Sequence, residues 1–355
     1  MVNNSTLKTD LSPPYLIYFG DVATEEFAKT GLGLIEWCRS LCAGQLRHPS
    51  CGVNGGIPDL TLDEAVSKGV KSVIIGVAPA GGSIPDSWVA DLADAVRRGC
   101  DLVSGMHVKL RDFPEIVAAQ KESGARLVDV RVPPKGLKVG TGEKRSGNRL
   151  LTVGTDCAVG KMYTALAIEK EMLARGWSAD FRATGQTGIM IAGRGMPIDS
   201  VVSDFISGAA EMISPSADVD HWDVIEGQGA LTHPSFAGVS LGLLHGSQPD
   251  ALVLCHDASR THIFGLGTSQ PYPLLSLSEV IRVNLEMARR VNPCARFVGV
   301  SVNSSALSAE ERAEALAEYE AETGLPVVDP IIDGAAKIVD RIIGDYGFTQ
   351  QRATI

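Results

Sequence analysis

Residues 150–172 read LLTVGTDCAVGKMYTALAIEKEM: an apolar run, a glycine-containing loop and a stretch with helical spacing. Gly160 and Lys161 stand where the phosphate-binding pattern G-x-x-x-x-G-K-[ST] requires them. Thr155 takes the first glycine position, one residue after Gly154, and Met162 replaces the final hydroxyl residue. The strand before and the helix after give the loop its context. The backbone N–H groups of Asp156, Cys157, Ala158, Val159, Gly160, Lys161 and Met162 are expected to face an anion. The helix N-terminus and the Lys161 ammonium add positive charge there. An ordinary strand-to-helix turn is the competing reading.

Met162 changes the chemistry open to such a loop. Magnesium is a hard cation that wants oxygen ligands, and a thioether is soft. In ATP enzymes the loop hydroxyl holds the magnesium that bridges the β- and γ-phosphates. Without it, phosphoryl transfer loses a central part, while a pyrophosphate can still bind through charge and N–H groups. Coenzyme A carries such a pyrophosphate and has no γ-phosphate to transfer. Thr164, two residues further on, is the remaining hydroxyl that could reach an ion through water.

The elements that must position this loop alternate along the chain. Strand-like runs at YLIYFGD (15–21), SVIIGVAP (72–79), DLVSGMH (101–107) and RLVDVRVPP (126–134) are separated by helical patterns and turn residues. A second series follows with LLTV, SADFRAT, WDVIEG, ALVLCH, RFVGVSVN and LPVVDP. This rhythm predicts parallel sheets with helical crossovers. Residues 132–149 are rich in Gly, Pro and Lys/Arg without apolar periodicity, as a linker would be. The expected organisation is a domain over 1–135, a linker over 136–149, a second domain over 150–345 and a frayed tail over 346–355. Ser308 with Glu311 reads as a capping box that opens a helix.

The spelling GTDxxVGK resembles the loop of dethiobiotin synthetase and its P-loop relatives. DVIEGQG (223–229) resembles their strand-ending acidic motif, which makes Glu226 the carboxylate beside the loop. ATGQTG (183–188) resembles the end of their second strand, which touches substrate. The resemblance points to Arg182, Gln186 and Thr187 as substrate-side residues. As a whole, residues 14–345 resemble the P-loop family, long of unknown function, that includes D-glutamate N-acetyltransferase. The likeness rests on RHPSCGVNGGIPDL, GVAPAGGSIP, GMHVKLRD, VGTDCAVGKM, ATGQTGIMIAGRG, VIEGQGALTHPSF and LCHDASR. It implies an α/β protein, with an N-terminal Rossmann-like parallel-sheet domain and a C-terminal P-loop NTPase-like α/β domain. It also implies transfer of acetyl from acetyl-CoA to the α-amine of D-glutamate.

Amine acetylation needs a base for the ammonium proton, donors for the oxyanion and cations for the substrate carboxylates. Glu226 is the first choice as base, with a structural remnant of a magnesium site as its alternative. Lys161 and Asp156 complete the expected catalytic set, with His256 and His233 behind them. Residues 154–162 are the expected acetyl-CoA contacts. Arg182, Arg194 and Arg260 are candidates for the substrate carboxylates, each weighed against an ordinary surface role. His107 ends a strand and is read first as a structural histidine. The glycine-rich CGVNGG and APAGGS lack the G-x-G-x-x-G spacing of a dinucleotide fold, so NAD is not expected.

Composition bounds the rest. The chain has 355 residues and a net charge of 32 − 42 = −10, which argues against a broad nucleic-acid footprint. No apolar run is long enough to span a membrane, and the N-terminus lacks a signal-peptide pattern. Seven scattered cysteines without a C-x-x-C pair fit reduced thiols in the cytoplasm. No metal site is expected, and a homo-oligomer is expected from the general prevalence of symmetric assemblies. Two other readings stand beside the acetyltransferase. One is a Mg-ATP-dependent ligase or kinase like dethiobiotin synthetase, against which Met162 speaks. The other is a non-catalytic nucleotide- or CoA-binding module.

Overall fold

The computed structural model describes residues 7–78, 82–266 and 272–347. The tail FTQQRATI and part of the APAGGS loop lie outside these residues. The chain forms two compact units. One comprises the chain up to Pro133 together with Gln186–Ser200, and the other comprises Pro134–Gly185 with the chain from Val201 onward.

The N-terminal unit is built on strands β1 (Tyr15–Gly20), β2 (Cys42–Arg47), β3 (Ser72–Ile75), β4 (Asp101–Ser104) and β5 (Leu127–Asp129). They pair in the order β2-β1-β3-β4-β5 and every pairing is parallel. Helices α1 (Lys29–Cys38), α2 (Leu62–Ser67), α3 (Asp86–Arg97) and α4 (Pro114–Ser123) make the crossovers. A parallel strand covered on both faces must be apolar on both. Accordingly every residue of β1, YLIYFG, is buried. The sequence did not announce β2. CAGQLR has no run of β-branched residues, and it is an edge strand whose buried Gln45 is held by the loop that follows. Gln45 Nε2 donates to Asn54 Oδ1 at 2.8 Å and to the Ile57 carbonyl at 3.0 Å, and Gly55 N donates to its Oε1 at 2.8 Å.

The second unit carries β6 (Asn148–Gly154), β7 (Ala179–Arg182), β8 (Trp222–Ile225), β9 (Ala251–Asp257), β10 (Arg296–Asn303) and β11 (Val327–Val328). They pair in the order β11-β10-β9-β6-β8-β7, again all parallel. Its helices are α5 (Lys161–Ala174), α7 (Ile206–Ile213), α8 (Ala237–Ser247), α9 (Leu277–Ala288), α10 (Ala309–Thr323) and α11 (Ala336–Tyr346). The two-domain parallel α/β architecture read from the sequence is the one observed. The capping box at Ser308 and Glu311 is formed and opens α10, which Gly324 ends in the left-handed conformation. The central strands β6 and β9 bring Gly154 and Asp257 to the carboxyl edge of this sheet.

The remaining helix, α6 (Gln186–Ala192), follows β7 in the chain but belongs to the N-terminal unit. Its first residues are held by polar contacts there. Arg131 Nε donates to Gln186 Oε1 at 2.8 Å, and Gln186 Nε2 donates to Thr30 Oγ1 at 3.1 Å. Thr187 Oγ1 donates to the same threonine at 3.0 Å. Among the described residues no helix is long and apolar enough to cross a membrane.

Candidate active site

The loop between β6 and α5 starts as the strand runs out at Gly154. Two backbone distortions shape it. Ala158 has φ +54° and Gly160 φ +94°. Successive peptides turned this way point their N–H groups into one concavity, the geometry of an anion nest. Among the described residues the N–H groups of Ala158, Val159 and Gly160 have no acceptor. Gly160 is the N-cap of α5, so the helix dipole adds to the same concavity.

Lys161 does not lie open. It is 7% exposed, and its Nζ donates to the Asp156 carbonyl at 2.8 Å. The side chain threads between two glycines. A Cβ on Gly154 would stand 2.9 Å from Nζ, and one on Gly227 would stand 3.1 Å from Cδ and 1.7 Å from the Thr152 carbonyl oxygen. Burial pushes the pKa of this ammonium down.

Asp156 is fully buried and saturated. Its Oδ1 accepts the Cys157 N–H at 2.6 Å, and its Oδ2 accepts Phe264 N at 2.8 Å and Arg260 Nη1 at 3.1 Å. The catalytic role expected for it does not fit. Both of its oxygens are taken inside the fold, by two N–H groups and a guanidinium, and none of its surface is exposed. Asp156 instead ties the loop after β9 to the phosphate loop. Arg260 joins in: Nη1 donates to the Cys157 carbonyl at 2.7 Å, and Nη2 to the Ala158 carbonyl at 3.4 Å. Its guanidinium lies 4.8 Å from the centre of the Phe264 ring.

Ligand-type atoms of Asp156, Cys157 and His233 lie within 4.8 Å of one another. The chemistry of the trio does not suit a metal. Ser235 N–H donates to His233 Nδ1 at 3.0 Å, so the proton sits on Nε2, which donates to the Phe264 carbonyl at 3.3 Å. The imidazole therefore turns an N–H, not a lone pair, toward the cluster. Burial also pushes the Cys157 thiol up, away from the thiolate a metal or a nucleophile needs. His256 is likewise occupied. Its Nδ1 meets Thr155 Oγ1 at 3.0 Å and its Nε2 meets the Tyr319 hydroxyl at 3.4 Å. Burial pushes its pKa down, and the ring serves as a brace for Thr155.

Glu226 follows β8 and is 4% exposed. Its Oε2 accepts the N–H groups of Thr184 at 2.9 Å and Gly185 at 3.1 Å. Thr184 Oγ1 returns a bond to the Glu226 carbonyl at 2.6 Å, and Gln228 Nε2 donates to that hydroxyl at 3.1 Å. Glu226 thus stands on the strand beside β6, among the segments that carry Gly227 and Thr184. Thr184, Gln228, Phe264 and Tyr319 were not singled out from the sequence. The ATGQTG and EGQG spellings mark the first two, while nothing local marks the others.

Arg182 is not available to a substrate. It lies opposite Ile225 in the β7–β8 pairing, yet its Nε reaches back to Asp223 Oδ1 at 2.6 Å and its Nη2 to Asp180 at 3.2 Å. The guanidinium therefore points toward the start of the strands and is matched by two carboxylates. Gln186, Thr187 and Arg194 belong to the N-terminal unit, where the first two spend their polar groups on Thr30 and Arg131. Thr164 offers no substitute for the missing loop hydroxyl. It is 1% exposed and faces the sheet, with its Oγ1 on the Gly160 carbonyl at 3.0 Å and on Ser301 Oγ at 2.7 Å.

Fold and loop together define a P-loop α/β protein joined to a Rossmann-like unit. The chain belongs to the DUF1611 family: its P-loop domain of unknown function matches residues 138–339, and its Rossmann-like domain matches residues 42–133. It is 47% identical over 332 residues to a D-glutamate N-acetyltransferase from Tritonibacter scottomollicae, covering 94% of this chain and 99% of that one. A D-glutamate N-acetyltransferase from a Pseudoalteromonas species is 46% identical over 330 residues, covering 93% and 98%. The crystal structure of a DUF1611 family protein from Anabaena variabilis superposes with a TM-score of 0.84 at 33% identity. It covers 94% of this chain and all of that one.

Proposed function

We propose that the chain is an N-acetyltransferase that moves the acetyl group of acetyl-CoA to the amine of D-glutamate, in the breakdown of D-amino acids. Similarity over nearly the whole chain to two relatives of that name supports the reaction. Met162 supports the choice of donor. The loop keeps its anion concavity and its lysine, but neither Met162 nor the inward-facing Thr164 offers an oxygen for magnesium. These residues fit a pyrophosphate better than a magnesium nucleotide.

In this reading the N–H groups of Ala158, Val159 and Gly160, with Lys161, hold the phosphates of the donor. Coenzyme A supplies the acetyl group as an activated thioester. An ammonium cannot attack a carbonyl, so a residue must take its proton. Glu226 is assigned that role, because it is the acidic group that ends the strand beside the loop. Arg260, whose guanidinium is spent on Asp156 and the loop carbonyls, is not assigned to the substrate carboxylates. The partners are small molecules. The seven cysteines are free, as a reducing cytoplasm would keep them, and a homo-oligomer is part of the proposal.

The test is release of free thiol from acetyl-CoA with D- or L-glutamate, without magnesium or ATP. Release with D-glutamate is expected. No release with either isomer, and ADP formation once magnesium-ATP is supplied, would overturn the proposal.

A further inference from the structure

Arg260 approaches the phosphate loop from its carbonyl side. Its two terminal nitrogens take the carbonyl oxygens of Cys157 and Ala158. In a trans peptide the C=O and the N–H point in opposite directions. Fixing those carbonyls toward Arg260 therefore turns the N–H groups of Ala158 and Val159 the other way, into the concavity. Neither of these two loop N–H groups has an acceptor among the described residues. The conformation so fixed is one that the chain would not choose. Ala158 sits at φ +54°, a conformation that a residue with a Cβ disfavours. Something outside the loop must hold it.

The arginine is itself held. Asp156 accepts from Nη1, Asp257 lies 3.5 Å from Nε, and Phe264 covers the guanidinium face. Asp156 also accepts the Phe264 N–H, while His233 donates to the Phe264 carbonyl. Both sides of that residue are thus pinned to the loop region.

We propose that Arg260, locked in place by Asp156, is the positioning residue that presets the phosphate loop for its anion before any ligand arrives. It acts on the outer face of the loop and not by touching the ligand. The proposal rests on the loop being the anion site of the proposed reaction.

The experiment uses inorganic pyrophosphate and coenzyme A as probes, by calorimetry, on the full chain. Hydrogen exchange over residues 155–162 of the ligand-free protein is measured in parallel. Arg260→Ala is expected to weaken both probes at least tenfold and to speed exchange in the ligand-free loop. Asp156→Asn should act in the same direction. The double variant should be no worse than the weaker-binding single, because both act through one contact. Arg260→Lys should not rescue, since an ammonium cannot fork across two carbonyls, and it serves if the alanine variant does not fold. Loss of affinity with unchanged exchange in the ligand-free loop would overturn the proposal and make Arg260 a ligand contact. Unchanged affinity would overturn it as well. If the unaltered protein binds neither probe, the donor reading above fails, and the exchange comparison still decides whether Arg260 sets the loop.

Discussion

Lys161 Nζ donates to the backbone carbonyl of Asp156 at 2.8 Å, and among the described residues no carboxylate forms an ion pair with it. A buried ammonium with one hydrogen bond is poorly compensated. An arriving anion would supply the missing charge.

The first prediction follows from that imbalance. Lys161→Met should abolish pyrophosphate and coenzyme A binding while leaving the fold as stable as before, or more so. The sign with pH is fixed by the depressed pKa of the lysine. Between its folded and unfolded values the unfolded chain binds more protons, so stability rises with pH across that window. Urea unfolding at several alkaline pH values should show this rise in the unaltered protein and its absence in Lys161→Met. A stability that falls with pH over the same window in the unaltered protein alone would refute it.

Gly227 leaves no room for a side chain. A Cβ there would stand 1.7 Å from the Thr152 carbonyl oxygen and press on the Lys161 stem. Gly227→Ala should therefore cost about 3 kcal/mol or more, as overpacked buried sites do. Thermal unfolding reads the loss directly, and a variant with an unchanged midpoint would contradict the packing described.

Arg182 separates a structural from a substrate role. Asp223 is 1% exposed on its side chain and relies on Arg182 Nε at 2.6 Å, with His221 Nε2 at 3.2 Å. Arg182→Ala should destabilise by about 3 kcal/mol, because it strands a buried carboxylate. The KM for the amino acid should stay within about twofold. A large rise in KM with stability intact would return Arg182 to the substrate.

Cysteine chemistry offers a fourth check. Cys294 is exposed, whereas burial pushes the Cys157 thiol up. Iodoacetamide near neutral pH should label Cys294 well before Cys157, since only the thiolate reacts. Mass spectrometry of the labelled peptides ranks the two. Faster labelling at Cys157 would show an activated thiol in the phosphate loop.

Much of this was legible in the residues. The strand–loop–helix at 150–172 follows from periodicity and glycine placement, the acidic end of β8 from the resemblance of DVIEGQG to the P-loop relatives, and both elements are present in the fold. The direction of a strand side chain is a different matter. Arg182 ends β7 near the site in the sequence, but its guanidinium turns to the nearest buried carboxylates, and no local pattern carries that choice. Asp156 looks catalytic as an acid in a ligand loop, yet the Arg260 and Phe264 N–H donors that occupy it lie 104 and 108 positions away. The edge strand β2 was hidden because its buried Gln45 is satisfied by a loop and not by apolar neighbours.

The chain passes from one unit to the other at Pro133–Pro134, returns after Gly185 and leaves again after Ser200. No single cut therefore separates the two units as continuous fragments. A truncation after residue 133 removes α6 from the unit whose Thr30 and Arg131 it satisfies. The second unit expressed from residue 134 carries that helix without its partners. In engineering terms the two units are not interchangeable cassettes, and they are to be expressed together.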